Sequence, residues 1–179
     1  PMGRDALDTA LFLDAMAGRH VEDPIARDAP DLPFAQSVRE KEKYKPGSAA
    51  YSPNLGTFPI DSEVAEICSR AAQRFEALGT KVEDGGPSFK GAVDTFQTLR
   101  AVLFSAVKAD LLRNKRDALK PELIWNIEKG MALKSDEIGK AEIARGKLHH
   151  RMAKFFEDHD LLLCPTVIVP PFDVDIRYI

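Results

Sequence analysis

His149 and His150, Cys68 and Cys164, the runs Gly85-Gly86-Pro87-Ser88 and Arg113, Lys115, Arg116, Lys120, and the single tryptophan, Trp125, are the residues whose types could do chemistry here. Adjacent histidines on a helix point about 100° apart, the wrong spacing for two ligands on one metal. No metal site is therefore expected. Cys164 could be a nucleophile at a strand end, but no base is placed near it in sequence, and an unpaired cysteine ordinarily behaves as inert core. The glycine-rich run resembles an anion-binding loop only in part, because Pro87 removes one of the N–H groups such a loop would aim at its ligand; a turn is expected. The basic run sits at a helix end, where cations offset the dipole and face solvent. Trp125 shares helical spacing with Ile124 and Ile127, which fits either core or a pocket wall.

Elements must position these groups, and the stretch that organises them is Asp160-Leu161-Leu162-Leu163-Cys164-Pro165-Thr166. Four apolar residues closed by proline read as a buried strand over 161–164, taken as the central one, with Pro165 and Thr166 at its carboxyl end. Asp5 caps a helix over 6–17, whose buried side holds Leu7, Ala10, Leu11 and Leu13 to Ala17 and which stops at Gly18. From 19 to 47 prolines and charges show no sustained period, so a loop or linker is expected. Ser48–Tyr51 reads as a strand, Ser52-Pro53-Asn54-Leu55-Gly56 as a turn. Asp61 caps a helix over 62–78 that buries Val64, Ile67, Cys68, Ala71, Ala72, Phe75 and Leu78 and ends at Gly79. A strand over 80–83 follows. Strand, helix and strand this tightly joined predict a parallel, right-handed βαβ unit.

After Gly85-Gly86-Pro87, apolar periodicity predicts three helices, marked by Val93, Phe96, Leu99, Leu103, Val107 and Leu111, by Leu123, Ile124 and Ile127, and by Ile138, Ala141, Leu148, Met152, Phe155 and Phe156. They are expected to cover the sheet. The fold class is α/β, a small parallel or mixed sheet under long helices. Residues 1–47 form an N-terminal docking helix and loop, and 48–179 the α/β portion.

The chain has 179 residues, 44% of them hydrophobic and 30% charged, with a net charge of −3. That supports a folded core and gives no general attraction to nucleic acid or anionic lipid. No run reaches the roughly 18 apolar residues of a membrane span, and the first residues lack a signal peptide's apolar stretch. Two well-separated cysteines fit a reducing compartment, so a cytoplasmic setting is expected.

Beyond that, the residues alone say only α/β domain. Pro1-Met2-Gly3-Arg4 leads into a helix ending Asp14-Ala15-Met16-Ala17-Gly18, and a charged loop with Asp23-Pro24 follows. Ala50-Tyr51-Ser52-Pro53-Asn54-Leu55-Gly56 precedes Pro59-Ile60-Asp61, and the helix closes on Phe75-Glu76-Ala77-Leu78-Gly79. With Asp160-Leu161-Leu162-Leu163-Cys164-Pro165-Thr166, these motifs occur in the order seen in amidase signature enzymes, which the sequence resembles along nearly its whole length. The resemblance implies hydrolysis of a carboxamide to a carboxylic acid and ammonia, with no cofactor and no metal. It implies a lysine, a serine in a cis peptide and a nucleophilic serine in a Gly/Ser-rich tract, a lysine-to-serine relay with oxyanion stabilisation by N–H groups.

None of those catalytic groups can be assigned to a residue of this sequence. The resemblance places their tract upstream of the passage at which the sequence begins, so the chain is expected to be an internal piece of an amidase, inactive by itself, whose partners are a small amide substrate and the remainder of the enzyme. The resemblance also sets the short helix over 122–130 and the end of the last strand beside the substrate pocket. Trp125 is then an apolar wall, Asn126 an orienting amide, and Pro165 and Thr166 the pocket rim. Self-association into a homo-oligomer is left open. The alternative function is a non-enzymatic α/β interaction module.

Overall fold

Asp5 begins the first element. Its carboxylate accepts the Asp8 N–H at 2.8 Å, and helix α1 runs Ala6–Met16. Only Ala10 is buried on it; Leu11 and Met16 are exposed, contrary to the buried side expected from their spacing. A second helix, α2 (Phe34–Arg39), lies within the stretch expected to be a loop. Its start is secured by Asp14 of α1, whose two carboxylate oxygens accept the N–H groups of Phe34 at 2.7 Å and Ala35 at 3.0 Å. Residues 1–40 and 45–179 are described by this computed structural model, so the loop expected over 41–44 lies outside the described residues. Both helices belong to one compact unit, Pro1–Pro46; a second unit spans Gly47–Ile179.

The second unit opens with the βαβ unit. Strand β1 (Ser48–Tyr51) passes through helix α3 (Ser62–Ala77) into β2 (Lys81–Asp84), and the two strands pair in parallel from Ser48 opposite Lys81 to Tyr51 opposite Asp84. The Asp61 carboxylate caps α3 through the Glu63 N–H at 2.9 Å, and Gly79, at φ +90°, turns the chain back. α3 buries Val64 and Ala72, whereas Ile67 and Leu78 are exposed. β2 starts one residue later than expected.

Strand β3 (Leu161–Leu163) pairs in parallel with β1, Ala49 opposite Leu161 and Tyr51 opposite Leu163. The order is therefore β2-β1-β3, and β1, not the leucine run, is central. Ala49 and Ala50 are buried while the β3 leucines are half-buried. An apolar run signals that a strand's faces are covered; it carries no information on how many ladder partners its edges have. Cys164 lies beyond the strand, since the last ladder bond from Ser52 N–H ends on the Leu163 carbonyl at 2.9 Å. The Asp160 carboxylate accepts the N–H groups of Gly47 at 2.7 Å and Ser48 at 3.0 Å, fixing where β1 and β3 begin.

Three helices complete the unit: α4 (Ala92–Lys115), α5 (Pro121–Ala132) and α6 (Ser135–Phe155). Their main packing is on one another, α4 against both α5 and α6, rather than as a common cover for the sheet. Gly130 of α5 is why α4 and α5 come so close. A Cβ built there would stand 2.0 Å from the Ala101 carbonyl oxygen. Ala101 and Ile127 are fully buried at this contact. Two ties join the helices to the sheet end of the unit. Arg151 of α6 donates to the carbonyls of Ser88 at 2.7 Å and Lys90 at 3.2 Å, and His159 Nε2 meets Glu83 Oε1 of β2 at 2.9 Å.

Candidate functional site

Helix α5 starts at Pro121, whose missing N–H costs nothing at a first helical position. Asn126, Ile127 and Gly130 are its buried residues and share one face. Asn126 is 4% exposed; its Nδ2 donates to the Glu122 carbonyl at 2.7 Å, and its Oδ1 has no partner among the described residues. Trp125 lies about 100° further round the helix and is 53% exposed, which rules out the core placement. The ammonium of Lys129, one turn on, sits 4.9 Å from the indole centroid.

Trp125 and Asn126 line one cavity of about 760 Å³. α4 supplies Gln97 and Arg100, the start of α5 supplies Pro121 and Glu122, and the tail after β3 returns to contribute Arg177 and Tyr178. Arg177 pairs with Glu122 at 3.3 Å. The volume is in the range of pockets that enclose small molecules, and the lining mixes flat apolar surface with a few polar groups. Gln97, Arg100, Arg177 and Tyr178 escaped the sequence reading. One signal was there for Arg100, which lies four residues from both Phe96 and Phe104; its guanidinium stands 5.9 Å and 5.3 Å from their ring centroids.

Pro165 and Thr166 lie elsewhere. They follow β3 at the carboxyl end of the sheet, Pro165 half-buried and Thr166 exposed, and neither lines the Trp125 cavity. Beside them Cys164 lines a smaller cavity of about 250 Å³ with Tyr51, Cys68 and Phe75. The Tyr51 hydroxyl is buried without a partner among the described residues, and its pKa is raised by burial first and then by Cys68, Asp84 and Cys164. Both cysteines are free thiols. The chain thus brings two of the four expected pocket residues together and leaves the other two at the sheet end.

The remaining candidates have structural roles. The Gly85 N–H is committed to the Tyr51 carbonyl at 2.9 Å, and Gly86, at φ +156°, lets the chain pass the Leu162 side chain, so this run is a turn that closes the sheet. Arg113 pairs with Asp110, and Arg116 with Glu128 at 2.8 Å. His149 and His150 are exposed on α6, and no cluster of metal-ligating side chains occurs among the described residues.

The family model described as Amidase matches residues 1–178. The chain belongs to the amidase family. Among curated relatives, this amidase-family chain is 29% identical over 174 residues to an acylamidase of Rhodococcus erythropolis, and 24% identical over 172 residues to an amidase of Pseudomonas putida. It is covered to 96% and 95% in these matches but spans 36% of the length of each relative. Among solved structures, a bacterial aryl acylamidase of the amidase signature enzymes superposes with a TM-score of 0.81 at 24% identity, covering 94% of the amidase-family chain and 36% of its own. A 6-aminohexanoate cyclic dimer hydrolase complexed with substrate gives 0.76 at 21% identity, with 94% and 37% covered. At these identities the structural likeness establishes the α/β fold.

Proposed function

We propose that this chain is the part of an amidase that builds pocket walls, in an enzyme hydrolysing a carboxamide to a carboxylic acid and an amine or ammonia. The observation that supports it is the joint placement of Trp125 and Asn126 on the cavity between α4, α5 and the tail. In this reading the exposed indole face packs against the acyl or aryl group of the substrate, and the rim of the sheet at Pro165 and Thr166 faces the same substrate in the complete enzyme. The relatives named for acylamidase and aryl acylamidase activity suit a flat aromatic wall. The lysine and serines of the family's relay are supplied from outside this chain, so the 179 residues alone hydrolyse no amide above background. The free thiols of Cys68 and Cys164 support a cytoplasmic setting, and no helix among the described residues is long and apolar enough to cross a membrane.

Trp125→Ala in the full-length protein tests the wall. A wall residue discriminates by about 1–3 kcal/mol per misfit group, so the ratio of kcat/KM for aryl over short alkyl amides should fall about 5- to 150-fold while the unfolding midpoint stays close to wild type. An unchanged substrate ratio together with a much lower midpoint would show that Trp125 serves packing.

A further inference from the structure

Arg100 is a guanidinium without a counter-charge. It lies half-buried on α4, held against the rings of Phe96 and Phe104, and among the described residues no carboxylate or hydrogen-bond acceptor partners it. The cavity wall it shares with Trp125 carries two guanidinium groups and one carboxylate; Glu122 is already paired with Arg177. Lys129 over the indole adds a further positive charge beside the same wall. The two ring contacts matter for geometry. Two cation–π contacts limit the positions open to the guanidinium, and its fork of donors suits a planar, two-oxygen acceptor. Gln97, one turn earlier, adds an amide to that side.

We infer that the Trp125 cavity takes a ligand bearing a carboxylate, bound by Arg100, so that the preferred substrates are amides whose acyl part ends in an anionic group. This rests on the reading of the cavity as a substrate pocket and narrows it to a substrate class. A neutral amide would fill the apolar wall without offering the guanidinium a group of opposite charge. A carboxylate at the far end of the acyl chain satisfies them while its carbon stem lies along the indole.

The test uses the full-length protein and two 4-nitroanilides that differ only at the acyl terminus, butyryl with a methyl and succinyl with a carboxylate. Wild type should favour the succinyl compound in kcat/KM. Arg100→Gln should lower the succinyl-to-butyryl ratio at least about tenfold, as loss of a charge-assisted hydrogen bond does, and Arg100→Lys should keep part of the preference. A second arm measures calorimetric binding of 4-phenylbutyrate against 4-phenylbutyramide, with the same variants. If both anilides turn over with a ratio that Arg100→Gln does not alter, or if 4-phenylbutyrate binds wild type and Arg100→Gln equally, the anionic site is refuted and the pocket reading stands. If neither anilide is hydrolysed but 4-phenylbutyrate binding needs Arg100, the anionic site stands and the amidase reading is what fails.

Discussion

Gly130→Ala is the sharpest perturbation the fold offers, because one methyl group would be placed in the seam that positions the Trp125 helix. The added Cβ would lie 2.0 Å from the Ala101 oxygen, 2.6 Å from its carbonyl carbon and 2.8 Å from Ser105 Cβ. Two of these three atoms are backbone, so no rotamer change removes the clash. α5 must retreat from α4 by roughly 1.5 Å to reach ordinary van der Waals contact. Overpacking of this kind costs about 1–3 kcal/mol, and the backbone obstacle argues for the upper end. Alanine's better helix propensity returns about 1 kcal/mol, leaving a net loss near 2 kcal/mol. Denaturant unfolding of Gly130→Ala measures it, with Gly139→Ala as the control. Gly139 lies in α6 with nothing within 4 Å of its would-be Cβ, so that variant should gain up to about 1 kcal/mol. Because Trp125 and Asn126 ride on α5, Gly130→Ala should also shift substrate preference, which Gly139→Ala should not. Equal or greater stability in Gly130→Ala would refute the close approach of the two helices.

Other perturbations follow from the hydrogen bonds. Asp14→Ala removes the carboxylate that holds the start of α2 and should cost about 0.5–2 kcal/mol, seen locally as faster amide exchange at residues 34–36. For the His159–Glu83 pair the hydrogen bond between them is the first cause of both shifts, raising the histidine pKa and lowering that of the glutamate. The histidine's contribution is complete below its unfolded value near 6.5 and fades as pH rises through the raised folded value; the glutamate's is complete above about 4.3 and fades as pH falls through the depressed one. Stability of wild type relative to His159→Gln should therefore be greatest between roughly pH 4.5 and 6.5 and shrink on either side. A difference that does not shrink as pH falls below about 4.5 or rises above about 6.5 would mean that the pair is not formed in solution.

Much of this architecture could be read from local chemistry. Asp61 and Gly79 bracket α3, and the two short strands around it had to be parallel, as they are. What escaped depends on partners distant in sequence. α2 has a proline at its cap position and no side-chain cap from it; the N–H groups of Phe34 and Ala35 are satisfied from Asp14, about twenty residues earlier, so no local capping signal existed. The central place of β1 follows from ladder pairing, and the pairing of β1 with β3 is fixed by an aspartate far along the chain. At the candidate site, the helix carrying Trp125 and Asn126 was legible from its spacing, whereas Arg177 and Tyr178 join the cavity only because the tail folds back. Gly130 reads in sequence as a weak point in a helix; only the facing Ala101 shows why a side chain is excluded there.

The Asp160 clamp has a consequence for how the protein is made. Its partners Gly47 and Ser48 precede it by 113 and 112 residues, whereas β2 is paired with β1 across a single helix. During synthesis, β1 and β2 can close on each other early, but the other edge of β1 has no partner until more than a hundred further residues have left the ribosome. At about 5–20 residues per second that is roughly 5–20 seconds with an open strand edge. An unpaired edge is a template for association with other chains, and β1 offers no charged side chain to discourage it: its sequence is Ser-Ala-Ala-Tyr. Slow translation between residues 51 and 160 should therefore increase loss of nascent protein to aggregation, and chaperone dependence should track the time taken to reach β3 rather than the stability of the finished fold.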